Sequence, residues 1–196
     1  MEPYFYTNHL AGLLLLFTTN AWGMMELSQR SQPRRQGATK VGGAGFPLAA
    51  VACVIASTVA VNLAPHFAPA ATIRPGAVAF AAGMIIMLAG LVLRGWSFKT
   101  LGQYFTHTVM VSSDQPVIAT GPYRLLRHPS YTGVLLAGIG VGLASANWAG
   151  LAALMLLPLP LLFWRIHTEE SALQTTLGDR YRAYARQHRR VIPLVW

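Results

Sequence analysis

Cysteine and acidic residues are what this chain has least of. A single cysteine, Cys53, stands among 196 residues, so no disulfide closes within the chain and no cysteine-based metal centre forms. Set inside an apolar run, it reads as a small hydrophobe. Aspartate and glutamate number 6 against 15 lysines and arginines, and charged residues make up only 11% of the chain. A net charge of +9 would fit a nucleic-acid partner if the basic residues were interleaved with a soluble fold. With 54% hydrophobic residues the chain describes one integral membrane domain over 1–196 instead, and nucleic acid is set aside. Several motifs are missing as well. There is no His-x-x-x-His pair, no phosphate-binding loop, no Gly-x-Gly-x-x-Gly after a strand and no Gly-x-Ser-x-Gly elbow, which excludes a soluble nucleotide fold and argues against a metal site. No internal repeat is visible, which weakens a transporter reading.

What the chain has in quantity is apolar length. Five stretches, at about 8–27, 44–64, 76–96, 131–148 and 149–167, approach the roughly 20 residues that cross the hydrocarbon as helix. Unbroken apolar runs lack the alternation of barrel strands, so the fold class is all-α. The first run lacks the basic leader of a secretory signal and reads as a retained span. The last two are joined around Ser145-Ala146-Asn147-Trp148 and form a helical hairpin, with Pro158 and Pro160 kinking its returning arm. Gly138 and Gly142 have the small-xxx-small spacing that permits close helix approach.

Fourteen of the fifteen lysines and arginines fall in the first loop, in or just before the segment between the third and fourth spans, or at the C-terminal end from Arg165 on, leaving Arg74 alone on the other side. The positive-inside rule then predicts an external N-terminus, with the polar segments of roughly 97–131 and 165–193 together on the cytoplasmic side.

Those two segments carry the polar constellations. The first is Gly121-Pro122-Tyr123-Arg124-Leu125-Leu126-Arg127-His128-Pro129-Ser130-Tyr131, basic and aromatic at the mouth of a span. Ionisable residues so placed are functional candidates, because hydrocarbon offers them no solvation; a basic loop resting on anionic headgroups is the alternative. The second runs from Arg165-Ile166-His167-Thr168-Glu169-Glu170 to Tyr181 and Tyr184. Arg165 and Glu169 are four apart and share a helix face, in a site or as an interfacial ion pair. Arg186, Arg189 and Arg190 read as a solvated or lipid-facing basic face.

Taken in order, Gly121-Pro122-Tyr123, Arg127-His128-Pro129-Ser130-Tyr131, Arg165 with Glu169-Glu170, Leu173, Gly178, Tyr181, Tyr184, and Arg190 with Ile192-Pro193 resemble the isoprenylcysteine carboxyl methyltransferase family of integral membrane enzymes. The likeness covers roughly residues 100–193, and five apparent spans match the shorter prokaryotic members. It implies a multi-helix methyltransferase that uses S-adenosyl-L-methionine, held by Gln115, Pro116, Val117, Ile118, Tyr123, His128, Pro129, Ser130, Tyr131 and Glu169. Arg165 is implied as the substrate-side residue. Eukaryotic members often carry His-Thr where this chain has Gln115-Pro116.

The chemistry of the residues accords with that implication. Methyl transfer from a sulfonium needs an in-line nucleophile, exclusion of water and a wall that tolerates a cation, for which tyrosine faces serve. Glu169 suits the cofactor's amino group, and Arg165 suits a carboxylate acceptor held by its planar fork. A carboxylate needs no general base. An amine or thiol acceptor would need one, with His128 or Glu170 as candidates. The expected partner is a lipophilic or prenylated acceptor within the lipid. The alternatives are a phospholipid amine or small-thiol methyltransferase, an NADPH-dependent membrane reductase of related fold, and a non-enzymatic protein binding anionic lipid.

Overall fold

The computed structural model describes residues 4–30, 39–41, 45–105 and 109–192. Its elements follow the apolar runs. A single turn, α1 (Tyr4–Thr7), leads into α2 (His9–Arg30), followed by α3 (Gly45–Phe67) and α4 (Gly76–Leu101). After a polar connector come α5 (Pro129–Ala144), α6 (Trp148–Leu156), α7 (Leu159–Leu177) and α8 (Asp179–Gln187). Four stretches, His9–Ser28, Phe46–Phe67, Gly76–Tyr104 and Trp148–Leu177, are long and apolar enough to cross a membrane; Pro129–Ala144 is a shorter apolar helix. The fold is helical, as the composition requires. One small addition joins the first loop to the connector: β1 (Thr39–Val41) pairs antiparallel with β2 (Val109–Val111), Lys40 opposite Met110.

The boundaries depart from the apolar runs where polar chemistry continues a helix. The fourth run begins helix at Pro129 rather than 131, because proline fits the first helical turn, where its missing N–H is no loss. The last run does not stop at 167 but stays helical to Leu177, so Arg165, Glu169 and Glu170 all lie on α7. As the prolines predict, this arm is interrupted at 157–158, between α6 and α7.

The centre of the fold is the antiparallel contact of α4 with α5. A Cβ on Gly90 would lie 2.6 Å from the Gly133 carbonyl oxygen and the Ala137 nitrogen, and one on Gly83 would lie 2.5 Å from the Gly140 oxygen and the Ala144 nitrogen. Backbone therefore touches backbone along two turns, the small-residue mode of association that lipid favours. Gly138 and Gly142 serve the other flank of α5, where Cβ atoms would meet Met155 and Leu151 of α6. Asn147 turns the chain between these helices: its Oδ1 accepts from Ala149 N at 2.9 Å and Gly150 N at 3.1 Å, and its Nδ2 donates to the Ala68 carbonyl at 3.0 Å. By contrast α2 and α3 are little covered by protein and present rows of exposed leucine, valine and phenylalanine, the surface lipid would wet. Cys53 is half-buried on α3.

Candidate active site

At the end of the α4–α5 pair away from Asn147, the connector tightens into a 3₁₀ turn, Gly121–Arg124, and enters α5 through His128 and Pro129. Six residues of this entry are buried, Pro122 and Leu126 together with Tyr123 at 6% exposed, His128 at 3%, Ser130 at 6% and Pro129 under 2%. The His128 and Tyr131 rings stack with centroids 5.5 Å apart. Arg94 of α4 reaches the same turn, its Nη1 donating to the Ser130 hydroxyl at 2.7 Å and the Ser130 carbonyl at 3.1 Å.

Helix α7 supplies the facing wall. Arg165 and Glu169 are one turn apart, as their spacing predicts, but they meet through Tyr131. Its hydroxyl donates to Glu169 Oε2 at 2.7 Å and accepts from Arg165 Nε at 3.0 Å. The Arg165 guanidinium, 8% exposed as a residue, also lies 4.9 Å from the centroid of the Phe46 ring, a cation–π contact. The adjacent carboxylates diverge. Glu169 keeps 29% of its side chain exposed, whereas Glu170 keeps 5% and is ringed by basic groups: Arg127 Nη1 at 2.8 Å, His128 Nε2 at 3.1 Å and Arg190 Nε at 3.1 Å.

The C-terminal segment closes the arrangement. Gly178, at φ +58°, turns the chain from α7 into α8 through the left-handed region that favours glycine. Tyr181 and Tyr184 then pack with Val111, Ala172 and Leu177. Tyr184 donates its hydroxyl to the Tyr123 carbonyl at 2.7 Å. Beyond α8 the chain runs beside residues 126–128: Arg127 N donates to Arg189 O at 2.7 Å, His128 N to Arg190 O at 2.8 Å, and the Thr132 hydroxyl to Val191 O at 2.7 Å. Burial pushes the hydroxyls of Tyr123, Tyr181 and Tyr184 above the ordinary phenol range, with the nearby Glu170 carboxylate adding to the shift at Tyr181 and Tyr184, so all three stay protonated and neutral rather than serving as bases.

Of the residues singled out from sequence, Tyr123, His128, Pro129, Ser130, Tyr131, Arg165 and Glu169 converge here. The stretch 115–118 is placed differently. Val117 packs on the Tyr181–Tyr184 cluster, Gln115 closes a turn through its N–H to the Ser112 carbonyl at 3.0 Å, Ile118 is half-buried and Pro116 is exposed. Pro193 lies outside the described residues. Arg190 does more than join a solvated face: its side chain stays 38% exposed, but its Nε pairs with Glu170. Sequence reasoning missed Glu26, whose carboxylate pairs with Arg94 from α2; the only signal was an acid at the end of an apolar run. It also missed two orphans: the Tyr181 hydroxyl and Arg127 Nε are buried without a hydrogen-bond partner among the described residues.

Residues 82–175 match the model of the isoprenylcysteine carboxyl methyltransferase (ICMT) family. The chain is 30% identical over 115 residues to the probable protein-S-isoprenylcysteine O-methyltransferase of Oryza sativa subsp. indica, covering 58% of this chain and 60% of that protein. Against protein-S-isoprenylcysteine O-methyltransferase A of Arabidopsis thaliana it is again 30% identical over 115 residues, 58% of this chain and 58% of the relative. The chain thus spans about 60% of the length of these relatives. The structure resembles that of the eukaryotic intramembrane Ras methyltransferase ICMT with a TM-score of 0.62 and 29% sequence identity, over 79% of this chain and 55% of that one. The intramembrane helical architecture is therefore shared with that enzyme.

Proposed function

We propose that this protein transfers a methyl group from S-adenosyl-L-methionine to a lipophilic, membrane-held acceptor, with a carboxylate as the accepting group, as the names of its relatives describe for theirs. The observation that carries the reading is the Tyr131 hydroxyl set between Arg165 and Glu169, a cation and a carboxylate separated by one phenol. On one side, Glu169 is the more exposed of the two carboxylates and suits the ammonium of an amino acid. The Tyr181 hydroxyl and Arg127 Nε, two buried donors without acceptors among the described residues, suit its carboxylate end. The residues present therefore fit the cofactor, which when bound supplies an electrophilic methyl on a sulfonium. Tyr123, His128, Pro129, Ser130 and Tyr131 are the proposed cofactor wall, and the resemblance adds Gln115, Pro116, Val117 and Ile118, of which Val117 packs on the Tyr181–Tyr184 cluster.

On the other side, Arg165 would orient a carboxylate acceptor, with Phe46 and the half-exposed Trp164, whose rings lie 5.5 Å apart, offering the apolar flank that a prenyl chain needs. Burial of His128 and its contact with Glu170 favour an acceptor that needs no base over an amine or thiol. The charge division supports a site on the cytoplasmic side, with the N-terminus outside. Calorimetric titration of the purified protein in detergent with S-adenosyl-L-methionine, followed by a search for labelled lipid-soluble products in membranes given methyl-labelled cofactor, tests the proposal. Saturable binding and a labelled carboxyl ester support it. Absence of binding overturns it, and salt-sensitive binding to anionic vesicles alone would point to a lipid-binding protein.

A further inference from the structure

An arginine and a glutamate facing each other within apolar helices are costly, and hydrocarbon-facing charge persists where it serves a site. Arg94 of α4 and Glu26 of α2 are such a pair. Arg94 Nη2 donates to Glu26 Oε2 at 2.7 Å and its Nε donates to Oε1, so the contact is bidentate, while Trp22 Nε1 donates to the same carboxylate at 2.9 Å. The Arg94 side chain is 9% exposed and that of Glu26 24%. One guanidinium nitrogen is left over. It is Nη1, and both its contacts go to Ser130.

The Ser130 carbonyl belongs to the peptide plane that leads directly into Tyr131, and His128 is two residues earlier. Gly133, one turn on, is where α5 comes closest to Arg94: a Cβ there would lie 2.9 Å from the Arg94 Cβ and 2.7 Å from the Gly90 oxygen. The glycine contact thus sets the depth of the helix pair, and the guanidinium fixes the orientation of the first turn of α5. Glu26 in turn fixes the guanidinium, because a planar fork held by two parallel bonds has no freedom to rotate.

We propose that Glu26 and Arg94 are positioning residues of the site: α2, outside the segment that matches the family model, orients the Ser130–Tyr131 peptide, and through it the Tyr131 hydroxyl, by way of Arg94. This rests on the reading of the Tyr131 cluster as the cofactor and acceptor site, but its first consequence is independent of that reading. Removing the Glu26 charge frees the guanidinium and loosens the first turn of α5, whatever that turn binds.

Three proteins test it: the parent, Glu26→Gln, and the exchanged pair Glu26→Arg with Arg94→Glu. The exchanged pair restores an ion pair between α2 and α4 but leaves position 94 without a donor for the Ser130 carbonyl. Hydrogen exchange at the amides of Tyr131, Thr132 and Gly133 is followed in detergent, with those of α8 as reference, beside melting and the affinity for S-adenosylhomocysteine. Glu26→Gln is expected to speed exchange at those three amides about tenfold, with α8 unchanged, and to weaken the ligand by about five- to tenfold. The exchanged pair is expected to recover the parent's melting temperature but neither the protection nor the affinity. Recovery of all three by the exchanged pair would reduce Glu26 and Arg94 to a stabilising tie and overturn the proposal. So would unchanged exchange in Glu26→Gln, or faster exchange with parental affinity. A parent that binds no S-adenosylhomocysteine sinks the cofactor reading and leaves the exchange comparison to decide the positioning role.

Discussion

The phenolic hydroxyl of Tyr131 donates to Glu169 Oε2 at 2.7 Å, joining the mouth of α5 to α7 across 38 residues of chain. Because the same oxygen accepts from Arg165, the two charged residues do not touch each other and share one neutral mediator.

Removing that mediator is the first test. Tyr131→Phe deletes the hydroxyl alone, so Arg165 Nε and Glu169 each lose a partner, and affinity for S-adenosyl-L-methionine should fall by roughly tenfold, the equivalent of about 1.5 kcal/mol for a charge-assisted bond. His128→Ala should be worse, since it also opens a cavity beside the Tyr131 ring and leaves Glu170 short of a partner. Calorimetry on both variants decides; parental affinity in both would remove this turn from the cofactor site.

The adjacent glutamates should separate by readout. Glu169→Gln should weaken cofactor binding by about tenfold or more with little effect on melting, because its carboxylate is partly exposed and takes one hydrogen bond from the chain. Glu170→Gln strands Arg127 and Arg190 around a buried neutral amide, and the loss of a buried pairing partner costs about 3–5 kcal/mol before relaxation. It should therefore lower the melting temperature clearly. Matching small effects from both would mean that the two carboxylates are equivalent surface charges.

The placement of these two residues shows how far the chain could be read unaided. Apolar runs locate the helices, Pro158 and Pro160 locate the break before α7, and the spacing of Arg165 and Glu169 puts them on one face. The turning of Glu170 away from Glu169 is invisible in the sequence, because it depends on Arg127, presented by the distant connector, and on Arg190, returned to α7 by the turn at Gly178. Arg190 looked like one more cation in a basic tail for the same reason. Glu26 and Arg94 are 68 residues apart with no periodic relation, so only the close α4–α5 approach and the docking of α2 could bring them to Ser130. The role of 115–118 was taken from resemblance, and the packing of Val117 gives a structural reason for one of its four residues.

Arg165→Lys keeps the charge and loses the planar fork. Turnover should fall by at least tenfold while S-adenosyl-L-methionine binds within about twofold of the parent. Unchanged turnover would remove Arg165 from the site, and lost cofactor binding would move it to the cofactor side. Both quantities must come from the same monodisperse preparation.

Gly133→Ala places a methyl group against the Gly90 oxygen and the Arg94 backbone nitrogen, and backbone cannot step aside as a side chain can. The α4–α5 pair should separate locally, with destabilisation of about 1–3 kcal/mol from overpacking. Gly23→Ala, at a glycine with nothing within 4 Å, is the matched control and should melt as the parent does. Equal melting of the two would show that the close approach does not limit stability.

The sidedness of the site can be read with a reporter fused after Trp196. The charge division predicts cytoplasmic behaviour. An external signal would place both polar segments on the opposite side of the membrane.

The strand-like run of Arg189 to Val191 beside residues 126–132 has a consequence for biogenesis. The backbone N–H groups of Arg127 and His128 donate to a segment synthesised some sixty residues later, after α5, α6 and α7 have been made. A ribosome that has just released α5 to the membrane therefore leaves the mouth of that helix with open donors and Glu170 not yet made. On this geometry the site is completed by docking of the C-terminal segment rather than by insertion of α5. Its maturation is a late, aqueous event at the surface of an already inserted bundle, and a lesion in 189–191 would yield a protein that integrates normally and never acquires a closed site.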